Sequence, residues 1–245
     1  MKGKFNLFVS LGLFLISTLL LTPFAQGDIL IRSKRHTDSY TVMGKTHPAE
    51  DVIITQWLSK DKFRNDEGNK ESFIVRLDIN KMYIINHDEK TYSVIDLPID
   101  YNKILPPEAQ QMMQMMKANA TVIDTGETRK IGKWNCRKYT MNLQGGMMNT
   151  NMEIWTTKDV KINYETYEKS TESIMGLNLM FKNILDEFKK IKGLPIYIVS
   201  NSSVMGSNIK STEEVIEITE KSPPKGHYEL PTGYKEVQFN PMKRK

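Results

Sequence analysis

Four methionines fall within five positions, Met112, Met113, Met115 and Met116, in a chain that has 15 of them in 245 residues. Thioether sulfur can ligate a soft cation such as Cu(I). It can also line a surface that must fit variable apolar shapes, because methionine is unbranched and polarizable. Met112, Met113 and Met116 share one helical face with Ala109, while Met115 points elsewhere, so a four-sulfur copper site is disfavoured. His36, His47, His87 and His227 are scattered and form neither His-x-His nor His-Glu-x-x-His spacing, so no metal site is expected. The sequence has no Gly-x-Ser-x-Gly elbow and no glycine-rich phosphate loop. Glu213, Glu214, Glu217 and Glu220 interleave with Val215, Ile216 and Ile218. That is the pattern of a solvated strand face rather than of a glycosidase carboxylate pair. The chain is therefore expected to be no enzyme and to need no cofactor.

The start of the chain bears on location. Met1-Lys2-Gly3-Lys4 is basic, Phe5 to Leu21 is a largely apolar run, and Pro23 ends it. Ala25 and Gly27 place small residues at the −3 and −1 positions that a signal peptidase requires. Residues 1–27 are thus expected to be a cleaved signal peptide, leaving Asp28 to Lys245 as one periplasmic or secreted domain that does not span a membrane. The apolar run is short for a span. Lys2 and Lys4 are the leader's only charged residues, so the mature chain keeps 32 basic and 29 acidic residues, a formal +3. Bases and acids are interspersed, which argues against a nucleic-acid partner. The exception is the terminal Lys243-Arg244-Lys245. With one cysteine, Cys136, no internal disulfide can form, and the core must hold the fold.

The elements that would position these groups are mostly strands. Phe73, Val75 and Leu77, then Met82 and Ile84, then Ser93, Ile95 and Leu97 alternate with their neighbours, separated by polar turn-like segments. Residues 29–43, 50–58, 61–66, 195–204, 208–220 and 234–239 also read as strands. Arg137–Gln144 and Asn151–Thr157 flank a hairpin at Gly145-Gly146. Two segments break this pattern. Pro106–Asn119 reads as the methionine-bearing helix. Ile174–Lys192 reads as a second helix, with Leu177, Phe181, Ile184, Leu185, Phe188 and Ile191 as its stripe, Gly193 as its cap and Pro195 as its stop. The fold class expected is mainly β (α+β): a curved antiparallel sheet or open half-barrel of about eleven strands, with helices against the concave side.

Several runs resemble the LolA-like superfamily of bacterial exported envelope proteins, which includes the lipoprotein carrier and RseB-like proteins. They are Ile54-Thr55-Gln56-Trp57-Leu58-Ser59-Lys60-Asp61-Lys62-Phe63-Arg64, the meander from Val75 to Tyr92, Gly132-Lys133-Trp134-Asn135-Cys136-Arg137-Lys138-Tyr139, Glu153-Ile154-Trp155 and Tyr228-Glu229-Leu230-Pro231-Thr232-Gly233-Tyr234. The chain is most similar to a domain-of-unknown-function family within that superfamily. The resemblance implies a half-barrel with an apolar cavity closed by helices, and a lipid or acyl chain as the ligand. Met112, Met113 and Met116 would then form a lid, and Leu177, Phe181 and Ile184 the cavity wall. A plain core helix that uses methionine is the competing reading of residues 106–119. An interaction or sensor module that binds another envelope protein, with no small ligand, is the competing reading of the whole chain.

Overall fold

A computed structural model describes residues 27–105, 118–178, 181 and 184–240. The leader to Gln26, the terminal basic cluster and Met112, Met113 and Met116 lie outside the described residues.

The first half of the chain runs β1 (Asp28–Thr37), β2 (Tyr40–Val42), β3 (Lys45–His47), β4 (Glu50–Leu58), β5 (Lys62–Glu67), β6 (Glu71–Arg76), β7 (Lys81–Asn86) and β8 (Thr91–Asp96). A short helix, α1 (Tyr101–Ile104), follows. The second half begins with β9 (Ala118–Ile131), β10 (Trp134–Gly145) and β11 (Met148–Thr157). Helices α2 (Tyr164–Met175) and α3 (Leu185–Phe188) come next, then β12 (Leu194–Val204), β13 (Ser207–Lys221) and β14 (Lys235–Glu236). Twelve strands form one sheet in the order β14-β8-β7-β6-β5-β4-β1-β13-β12-β11-β10-β9, and β2 and β3 pair separately. The large sheet is curved, does not close into a barrel, and is antiparallel except for the short β14–β8 pair. This is the expected fold class.

Tight turns make the meander. Between β6 and β7 a single 3-10 turn, Leu77–Ile79, ends at Asn80 with φ of 52°, a left-handed conformation that asparagine tolerates. The two sheet faces then bury different residues, because successive side chains point opposite ways. Ile31, Phe63, Phe73, Val75, Met82 and Ile95 fill the inner face under α2. Leu30, Trp57, Ile74 and Ile85 fill the outer face under the segment after β13, with Tyr228 packed onto them.

That C-terminal strap is held by hydrogen bonds as well as by burial. Arg64 Nη1 donates to the His227 carbonyl (2.8 Å), and the Tyr228 hydroxyl donates to Asp28 (2.6 Å). The Ser72 hydroxyl donates to Asp66, so His87 Nε2–H must be the donor to Ser72 Oγ (2.7 Å). His87 Nδ1 is hydrogen-bonded to the Tyr234 hydroxyl (2.9 Å). Beside this network, His227 stands edge-on to Trp57 with centroids 4.9 Å apart, and its buried Nε2 has no partner among the described residues. Burial holds its pKa below 6.5. Arg64 adds to the depression, and Asp66 and Asp28 partly oppose it. The unfolded chain therefore binds a proton here at a pH where the folded chain does not. The contribution is full above about pH 6.5 and is lost as pH falls below it. Urea unfolding at pH 7.5 and pH 5 should show a larger stability loss for the wild type than for His227→Gln.

Two expected helices change. The stretch 174–192 is not one helix: α2 ends at Met175, and α-helix returns at Leu185–Phe188. The break sits at Gly176, whose carbonyl accepts the Tyr101 hydroxyl (2.6 Å). Of the helix expected over 106–119, the described end, Ala118 and Asn119, opens strand β9 instead. Gly193 has φ of +97°, and a Cβ there would stand 2.6 Å from the Thr157 carbonyl oxygen. Its place is thus fixed by close backbone packing at the start of β12 rather than by capping a long helix.

Candidate functional site

The helical segment from α2 to Gly193 does not lie flush on the sheet. Between them is a partly open cavity of about 1290 Å³. Its floor is the inner face of β5, β4, β1, β13, β12 and β11, and its cover is α2 with Leu177, Asn178, Phe181 and the stretch from Leu185 to Gly193. Asn163 caps α2 by accepting from the Thr166 N–H (3.1 Å). Its amide and the Thr166 hydroxyl both donate to the Lys60 carbonyl (3.0 and 2.5 Å), which pins the helix to the β4–β5 turn. The buried face of α2 is Thr166, Tyr167 and Ser170, and Tyr167 meets Phe63 edge-on at 6.0 Å. Burial, with the Glu213 charge adding to it, carries the Tyr167 phenol well above its ordinary pKa, so it stays neutral.

The other end of the cover is tied to both the helix and the sheet. Lys189 bridges Glu172 of α2 (3.0 Å) and Asp186 (3.2 Å), which holds its ammonium pKa above the ordinary value. The Glu187 carboxylate accepts the Val122 N–H of β9 (3.0 Å). Phe181 and Phe188 stack obliquely at 5.9 Å over a wall of Met152, Ile154 and Ile198. The floor toward β1, β4, β5 and β13 is polar. Ser33, Arg35, Gln56, Asn65, Glu67 and Glu213 all point into the cavity.

Of the residues expected to meet a ligand, Leu177 and Phe181 line this cavity. Ile184 is buried against the sheet with Tyr139, Met141 and Ile154 and does not line the cavity. The polar floor has no signature in the sequence. Glu213 lies in a run of acids expected on a solvated strand face, yet it turns inward while Glu214 is exposed. The bulge where β13 pairs with β1 at Arg32/Ser33 sets the phase of these strands. Cys136 is buried, and burial pushes its thiol pKa up. Trp57, Trp134 and Trp155 all sit in strands, and the Arg129 guanidinium covers Trp155 at 3.9 Å. Among the described residues, no three His, Cys, Asp or Glu side chains converge as metal ligands, and no helix is long and apolar enough to cross a membrane.

The model of one protein family, a domain of unknown function called DUF4412, matches residues 40–234. The chain belongs to the DUF4412 family. In this DUF4412 chain the match runs from β2 to Tyr234, so it takes in most of the outer strap and the cavity apart from Ile31, Ser33 and Arg35 of β1. No curated protein matches the chain. A solved structure of PNGF-II in space group C2 is similar at a TM-score of 0.40 and 13% identity, over 85% of the DUF4412 chain and 31% of that protein. The chain thus spans about a third of the length of that protein.

Proposed function

We propose that this DUF4412 chain is an exported bacterial envelope protein of LolA-like type, which binds a lipid or other apolar group in its sheet–helix cavity and releases it unchanged. The observation that carries this reading is the large cavity between a curved sheet and a helical cover, walled on one side by Met152, Ile154, Phe181, Phe188 and Ile198. Ligand cavities join apolar surface to placed polar groups, and here an apolar wall adjoins a polar floor. Each methylene moved from water into it would contribute ~0.8 kcal/mol. The LolA-like runs, the basic-apolar leader and the Ala25/Gly27 pair support the same reading from the sequence.

The test is to express the full chain with its leader and purify the exported form. A native mass spectrum and an organic extract then show what it carries. Co-purifying lipid is expected, and a neutral fluorophore, N-phenyl-1-naphthylamine, should brighten on binding. A bare protein mass with no fluorophore uptake would count against the reading.

One feature favours a second reading, a module that binds another envelope protein by strand addition. β9 is the last strand of the sheet, and Ile123 to Lys130 are all exposed. An exposed edge can template a partner strand. A stoichiometric protein partner bound to a chain with an empty cavity would decide for it.

A further inference from the structure

The cavity floor changes character along a single row of side chains. Arg35 of β1 faces Glu213 of β13, Glu213 faces Ile198 of β12, and Ile198 faces Ile154 of β11. Neighbouring strands stand ~4.8 Å apart, so the row passes from charged to apolar within ~10 Å. At the charged end the Arg35 guanidinium reaches Glu213 Oε2 from Nε and from Nη2, both at 3.0 Å. It lies 3.7 Å from Glu67. The buried Ser33 hydroxyl donates to the other Glu213 oxygen (3.1 Å). Two carboxylates thus share one guanidinium, and this end of the floor is net negative.

The other cationic groups around the cavity do not offset that excess. Lys169 pairs with Glu165 (2.7 Å), Lys189 with Glu172 (3.0 Å), and Lys192 with Glu168 (4.0 Å), all within the helical cover. Each cation there already has its own acid. A ligand arriving over the β1–β13 floor therefore meets one carboxylate more than the cations present can match.

We infer that the cavity selects single-chain amphiphiles with a cationic head. The head lies beside Glu67 and Glu213, and the tail lies over Ile198, Ile154 and Met152. This rests on the apolar-ligand reading above and narrows it. A fatty-acid carboxylate in the same place would be a third anion around one guanidinium, and like charges at contact distance disfavour binding. An ammonium head would instead complete the charge balance.

The experiment uses the exported full-length protein at pH 8, where both heads compared are fully charged. Bound N-phenyl-1-naphthylamine is displaced with dodecyltrimethylammonium and with dodecanoate, below their micelle concentrations. The cation is expected to bind about tenfold tighter (~1.4 kcal/mol). In Glu67→Gln the preference should shrink severalfold toward parity, and in Glu67→Gln/Glu213→Gln it should reverse to favour dodecanoate, because Arg35 is then the unmatched charge. Should the double variant fail to fold, the single variant at the more exposed Glu67 still decides. Equal binding of the two probes, or tighter dodecanoate, would overturn the head assignment and leave the apolar reading standing. Failure of the fluorophore and both probes to bind would overturn both.

Discussion

Met152→Asp/Ile198→Asp is expected to abolish uptake of a neutral apolar fluorophore, weakening it at least about a hundredfold, while the sheet stays folded. Both side chains are half-buried and line the cavity wall from adjacent strands. A carboxylate placed there keeps its water, and an apolar ligand would have to strip that water away, at a cost of several kcal/mol per charge. The wild-type groups instead contribute apolar contact of ~25 cal/mol per Å². The fold tolerates the change because neither residue belongs to the fully buried set. Met152→Ala/Ile198→Ala should lose far less, since it removes contact area without adding charge. Fluorescence titration with far-UV circular dichroism on the same samples checks this. Undiminished affinity in a folded aspartate variant would exclude this wall as the site.

The largest expected stability effect is at Phe63. Its ring is fully buried on the inner face and meets Tyr167 edge-on, so it joins the sheet to α2. Phe63→Ala should lower the unfolding free energy by about 4 kcal/mol, through lost transfer energy and the void left behind. Loss of the aromatic pair adds about 1 kcal/mol. Because α2 roofs the cavity, the variant should also lose fluorophore affinity. Phe63→Leu should recover most of the stability. Guanidinium unfolding of the three proteins measures this. A loss below about 1 kcal/mol for alanine would mean that the roof closes over the gap.

The strands were legible wherever one face is apolar. Phe73, Val75 and Met82, Ile84 alternate in the sequence and pair in the sheet, because burial on one face imposes a period of two. β9 was not legible. From Ile123 to Lys130 it is an exposed edge, so no core selects alternating apolar residues there. α2 was missed for a related reason: its buried face is Thr166, Tyr167 and Ser170, so most of what it hides is polar. Of the apolar stripe, Leu177, Phe181, Ile184, Phe188 and Ile191 do pack into the sheet's apolar clusters, though not from one helix. Helical periodicity reports which residues are buried, and Gly176 with the Tyr101 hydroxyl decides where the backbone turns. Of the site, the apolar wall showed in the sequence in part, at Leu177 and Phe181. The polar floor could not, because Ser33, Arg35, Glu67 and Glu213 lie up to 180 residues apart and meet only through the pairing of β1 with β13 and, by way of β4, with β5.

That register also governs the order of assembly. β1 is the first strand of the sheet, yet it lies between β4 and β13, and Asp28 pairs with Lys221. An emerging chain can build the run from β4 to β8 early, since each strand there pairs with the next. One side of β1 must wait until nearly the whole domain has been delivered. Contacts of such long range make folding slow. During that interval Ile31, Ser33 and Arg35 present an open strand edge, and β13 serves as the late keystone that seals it.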